Sequence, residues 1–206
     1  MRRLPPLFWA YVLMYPVVAS AVPTAPPENP LVLPFERLGL DWVGSPLDPG
    51  TGTPMPLAGG AGPHAAAIKV YGSTPQAIGI TYYPWSDWTG YTRLSFDLFL
   101  PPEMPKSADI CVYIKDRHYR WYQTWPLHDA QGKRVRSIQP GKWVTYELDI
   151  SERSTIWEPG GHKRAWYRVL HYTREFGIRV FCSARWSGAM LLDRVQLSGW
   201  DPPLGR

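Results

Sequence analysis

The residues best equipped for chemistry in this chain are rings and cations set two apart. Tyr113 with Lys115, Arg120 with Tyr122, and Arg179 with Phe181 each have this spacing, which in an extended chain places both members of a pair on one side. Flat rings stack on the apolar faces of a ligand, while lysine and arginine donate hydrogen bonds or meet negative charge. Tyr113, Lys115, Arg120, Tyr122, Arg179 and Trp88 form the candidate contact set. Trp85 and Trp186 are further ring candidates, and Trp121, in phase with Tyr119 and Trp125, reads as core. The charge distribution agrees with a binding role. Residues 1–110 hold six Lys and Arg against eight Asp and Glu, residues 111–206 hold sixteen against nine, and the net charge is +5. A basic C-terminal half favours an anionic partner, whether an acidic polysaccharide, a lipid head group or an acidic protein surface, or else reflects arginine-rich strand exteriors.

Other chemistries lack their residues. Glycoside hydrolysis needs two carboxylates across a cleft, whereas Asp97, Asp116, Glu147, Asp149 and Glu175 are scattered through strands. The five histidines show no His-x-x-x-His spacing, and there is neither a nucleophile elbow nor a phosphate-cradling glycine loop. Nucleic acid is disfavoured by the lack of a basic run, zinc spacing or an RNP-like motif. No enzyme is expected. Cys111 and Cys182 both fall in predicted strands, where they fit as small buried residues or, in an exported protein, as a disulfide.

The elements that must position these residues are strands. With 23 prolines and 18 glycines lying mainly between apolar runs, an all-β class is favoured. Leu94, Phe96 and Leu98 alternate with polar positions until Pro101 and Pro102, and Ile110, Val112 and Ile114 alternate likewise. A third strand follows over residues 119–125. Further strands are expected at 31–42, 65–71, 77–83, 143–150, 175–182 and 189–197, the second and third of these pairing as a hairpin through 72–75. Residues 44–63, rich in Gly and Pro, are expected to hold no regular structure, and 165–170 to form a helical turn. About nine strands and no long helix make a jelly-roll β-sandwich the expected architecture, preceded by an apolar N-terminal helix.

That N-terminal segment, residues 1–21, has Arg2 and Arg3, an uncharged apolar run and Ala19-Ser20-Ala21. It reads as a secretory signal, or as a retained anchor spanning residues 4–22, and either outcome leaves the domain outside the cytoplasm. Residues 22–30 form a Pro-rich linker, 31–200 the sandwich and 201–206 a tail.

The order of motifs resembles a known family. Phe35-Glu36 comes early, Asp87-Trp88-Thr89-Gly90-Tyr91 leads into Leu94-Ser95-Phe96-Asp97, and Val112-Tyr113-Ile114-Lys115-Asp116 follows. Gly141-Lys142-Trp143 then leads to Tyr146-Glu147-Leu148-Asp149-Ile150, and Leu192-Asp193-Arg194-Val195-Gln196-Leu197 closes the chain. Together these resemble the galactose-binding-like β-sandwiches that serve as carbohydrate-binding modules of secreted glycoside hydrolases. The resemblance implies a non-catalytic glycan binder that stacks sugars on its concave sheet. It also implies a structural calcium, with Glu36 and Asp193 at the matching positions. A second expectation is a membrane-anchored accessory subunit that docks on a larger protein complex through the same aromatic and basic surface.

Overall fold

The computed structural model describes residues 30–48, 50–57, 67–73 and 77–203; the expected signal or anchor, nearly all of the linker and the end of the tail lie outside the described residues. Within them, no helix is long and apolar enough to cross a membrane. In chain order the first strands are β1 (Leu31–Val32), β2 (Trp42–Gly44), β3 (Met55–Pro56), β4 (Ile68–Ser73), β5 (Ala77–Tyr82) and β6 (Tyr91–Phe99). Then come β7 (Asp109–Asp116), β8 (Trp121–Thr124), β9 (Trp143–Asp149), β10 (Glu158–Pro159), the one-turn helix α1 (Tyr167–Leu170), β11 (Thr173–Phe181) and β12 (Ser187–Trp200).

The strands form two antiparallel sheets around one apolar core. The first runs β3-β4-β12-β6-β9, with β1 also on β12, and the second runs β10-β8-β7-β11-β5-β2. Period-two alternation explains the layers: Leu94, Phe96 and Leu98 of the first sheet and Ile110, Val112 and Ile114 of the second are all 2% exposed or less. The fold class is as expected, an all-β sandwich.

Several elements differ from expectation for identifiable reasons. Residues 31–42 are two short strands in different sheets, separated by a turn in which Gly39 takes φ +83°. Residues 44–63 do carry regular structure, because β3 pairs with β4 and forms the edge of its sheet. β4 and β5 are not a hairpin. They belong to opposite sheets, and the chain crosses between layers where Ile78 packs on Gly72, so closely that a Cβ there would sit 2.5 Å from Ile78 Cγ1. β5 is buried along its whole length, a sign that something covers its outer face.

Candidate functional site

What covers it is the segment after β2. Ser45 N–H donates to the Gly79 carbonyl (2.9 Å), Gly79 N–H donates to Thr51 Oγ1 (3.1 Å), and Arg179 places two hydrogen bonds, 2.8 and 2.6 Å, on the Asp48 carboxylate. The approach is close because Gly79 has no side chain; a Cβ there would lie 2.5 Å from Asp48 Oδ2. The register sets Tyr113 beside Gly177, Lys115 beside Glu175 and Cys111 beside Arg179, so Tyr113, Lys115 and Arg179 do share the outer face, as their alternation predicts. They are, however, internally occupied. The Tyr113 hydroxyl lies 2.6 Å from Thr81 Oγ1, with burial pushing its pKa up to about 12. Lys115 Nζ donates to Glu175 Oε2 at 2.5 Å inside the protein. Asp48's hydrogen bonds hold the Arg179 pKa above its ordinary value.

Three other predicted contact residues are placed differently. Tyr122 is 2% exposed and belongs to the core, because β8 pairs with β7 so that Tyr122 stands opposite Ile114 and Trp121 opposite Lys115. A one-residue shift exchanges faces, so Trp121, expected in the core, is 40% exposed, its indole lying over Gly160. Trp88 is fully buried, donating its Nε1 hydrogen to Ser86 Oγ (2.9 Å) and packing against Phe176. Arg120 serves the turn between β7 and β8, its guanidinium 3.6 Å from Asp116 Oδ2.

The accessible part of this face is an aromatic platform at one end of the second sheet. Three segments converge there. The β5–β6 connection brings Trp85, the β7–β8 turn brings Tyr119, and a bulge between Thr173 and Glu175 turns Arg174 outward. The Arg174 guanidinium lies 4.4 Å from the ring centroid of Trp85 and 3.9 Å from that of Tyr119. Tyr172 extends the surface, meeting Trp85 edge-on at 6.2 Å. Trp85, Tyr119 and Tyr172 are 48%, 57% and 40% exposed. Both residues flanking the arginine have left-handed backbones, φ 47° at Trp85 and 62° at Tyr119, a conformation costing roughly 1–2 kcal/mol for a residue with a Cβ. The surroundings enforce it. Ser86 and Thr173 exchange backbone hydrogen bonds of 3.1 and 2.9 Å beside Trp85, and Asp116 Oδ1 accepts from the N–H groups of His118 (2.7 Å) and Arg120 (3.0 Å) around Tyr119. Strained backbone of this kind clusters at functional sites. Arg174 escaped the sequence reading because it is in phase with the core residues Phe176, Ile178 and Val180; a charge in core phase is itself the signal of a bulge.

The calcium expectation does not find its donors. Glu36 is exposed in the turn after β1, and Asp193 is buried on β12 opposite Asp97. The neighbouring cation is Arg194, which pairs with Asp97, and among the described residues no group of three or more His, Cys, Asp or Glu is set to hold a metal ion. Glu36 and Asp193 thus belong to no such group among the described residues. Cys111 and Cys182 are free, buried thiols; Cys182 belongs to the core, while Cys111 lies on the outer face in register with Arg179.

No protein-family profile matches the sequence, and no curated protein is similar to it. Solved structures do share the fold. A family 11 carbohydrate-binding module of a cellulosomal cellulase of Clostridium thermocellum superposes with a TM-score of 0.51 at 16% identity, over 83% of this chain and 95% of that one. A xylan-binding domain from Paenibacillus barcinonensis gives 0.50 at 14% identity, over 82% and 92%. An exo-β-agarase gives 0.54 at 12% identity, over 85% of this chain but 26% of the agarase. The chain thus has the β-sandwich fold of carbohydrate-binding modules.

Proposed function

We propose that this chain is an exported, non-catalytic module that binds glycans by stacking sugar rings on the platform of Trp85, Tyr119 and Tyr172. The observation that carries the reading is the pair of exposed rings held on left-handed backbones against Arg174. Rings fixed before a ligand arrives lose little side-chain entropy on binding, and flat amphipathic faces suit the C–H faces of pyranoses. The shared sandwich fold supports it, and the charged, apolar and small-residue regions of residues 1–21 support export.

Affinity electrophoresis of the full chain through gels containing neutral or acidic polysaccharides tests this directly. Retardation by at least one polysaccharide is expected, and Trp85→Ala or Tyr119→Ala should weaken it by about tenfold, equivalent to about 1.4 kcal/mol. Mobility unaffected by every polysaccharide would sink the proposal. Retained affinity in both variants would remove the platform from it. N-terminal sequencing of protein from its native cells is expected to begin near Val22, whereas an intact Met1 would favour an anchored subunit.

A further inference from the structure

Beside the platform lies a cleft of about 370 Å³ lined by Arg117, His118, Arg164, Arg168, His171 and Tyr172, with Asp116 its one acidic residue among those described. Asp116 offers these cations little, since its carboxylate is engaged with the backbone of its own turn and with Arg120. Arg117 Nε donates to His118 Nε2 (3.1 Å) and Arg168 Nε to the Tyr167 hydroxyl (3.3 Å), neither of them a carboxylate. Among the described residues, none of Arg117, Arg164 and Arg168 forms an ion pair with a carboxylate. His171 adds an Nε2 that is buried without a hydrogen-bond partner, its Nδ1 lying 3.1 Å from Thr89 Oγ1 and 3.8 Å from Asp87 Oδ2.

Like charges gathered in a concavity repel one another, and an anion seated among them removes that repulsion. Guanidinium groups are the donors best matched to planar or tetrahedral oxyanions, which they bind in bidentate fashion. Tyr172 joins the two surfaces, lining the cleft while packing against Trp85. Resting on the glycan-binding reading above, we propose that the cleft receives an anionic substituent, a sulfate ester or a uronate carboxylate, of the same glycan that lies on the platform. The continuity through Tyr172 distinguishes this from a general attraction to acidic surfaces, because one ligand must present a stacking face and a charge side by side.

The test compares the full chain's affinity for agarose oligosaccharides, carrageenan oligosaccharides and oligogalacturonate by titration calorimetry. The expected result is a preference of about tenfold or more for the sulfated or the uronate oligosaccharide over the neutral one, since hydrogen bonds to a charged group are stronger than neutral ones; which anion wins identifies the substituent. The preference should shrink as salt is raised, and Arg164→Ser/Arg168→Ser should bring the ratio near one. Both side chains are exposed, and Tyr122 hydrogen-bonds only the backbone carbonyl of Arg164, so folding is preserved and is verified by circular dichroism. Equal affinity for neutral and anionic sugars, or a double variant that keeps the preference, overturns the inference while leaving glycan binding intact. Absence of binding to all three overturns the inference, and the glycan-binding reading falls with it only if no polysaccharide retards the chain in the gels either. Binding to phosphatidylserine vesicles but to no oligosaccharide would assign the cleft to a membrane surface instead.

Discussion

Arg174 is the residue on which the exposed platform depends, since it presents one guanidinium to both the Trp85 and the Tyr119 ring. Its removal should act on binding through ring order. Arg174→Ala is expected to lower glycan affinity several-fold with a smaller loss of stability than a core substitution, and raised mobility of the two rings by tryptophan anisotropy and tyrosine relaxation would check that route. Its neighbour Glu175 has the opposite character. Lys115 and Glu175 form a buried pair with side chains 9% and 4% exposed, so Glu175→Gln leaves an uncompensated cation inside the protein and should cost about 3 kcal/mol or more in urea unfolding. At this scale the sequence was partly legible. Alternation identified the shared face of Tyr113, Lys115 and Arg179, because β7 and β11 are regular there. It failed for Tyr122 and Trp121, where a turn closed by Asp116 and Tyr119 resets the register, a backbone choice that residue types alone do not specify.

Among the elements, the segment after β2 decides which part of the second sheet is available. It seals the middle of the face through Asp48 and Ser45 and leaves the platform end open. Gly79→Ala should displace it, because the new Cβ meets Asp48 and the Ser45 Cβ at 2.5 and 2.6 Å; a loss of about 1–3 kcal/mol is expected, measured by thermal or urea unfolding. A Gly/Pro-rich stretch reads as structureless because its order comes from long-range partners, here Gly79 and Arg179, that local composition does not reveal. The connection after β8 carries a pH-dependent clasp. His128 Nε2 lies 2.6 Å from Asp109 Oδ2 and its Nδ1 lies 2.9 Å from the Gly132 carbonyl. Partial burial opposes its protonation, but the Asp109 and Gly132 hydrogen bonds outweigh this and raise its pKa above 6.5. A raised folded-state pKa stabilises fully below the unfolded value and is lost as pH rises through the folded one. His128→Ala should therefore lower the melting temperature more at about pH 5.5 than at about pH 8.5; an equal loss at both would mean the clasp contributes only packing.

For the whole molecule, the sandwich was legible because its core strands follow period two, and its layering was less so, since which strands share a sheet is settled by crossovers such as that between β4 and β5. Short partners such as β3 and β10 have two residues each and offer no periodicity to read. The calcium expected from the family resemblance rests on two positions, and Arg194 supplies the charge facing Asp97 in that region. Dialysis against EDTA should leave the melting temperature unchanged; a drop restored by calcium would reinstate the ion.

The two thiols have a use that does not depend on pairing. Cys182 lies in the common core, whereas Cys111 lies on the outer face, in register with Arg179, with burial pushing its pKa up to about 12. A thiol reagent then has two clocks in one chain. Alkylation of Cys111 is expected to report opening of the outer face and alkylation of Cys182 opening of the sandwich core, so a ratio of the two rates far from one separates local breathing from global unfolding without any engineered probe.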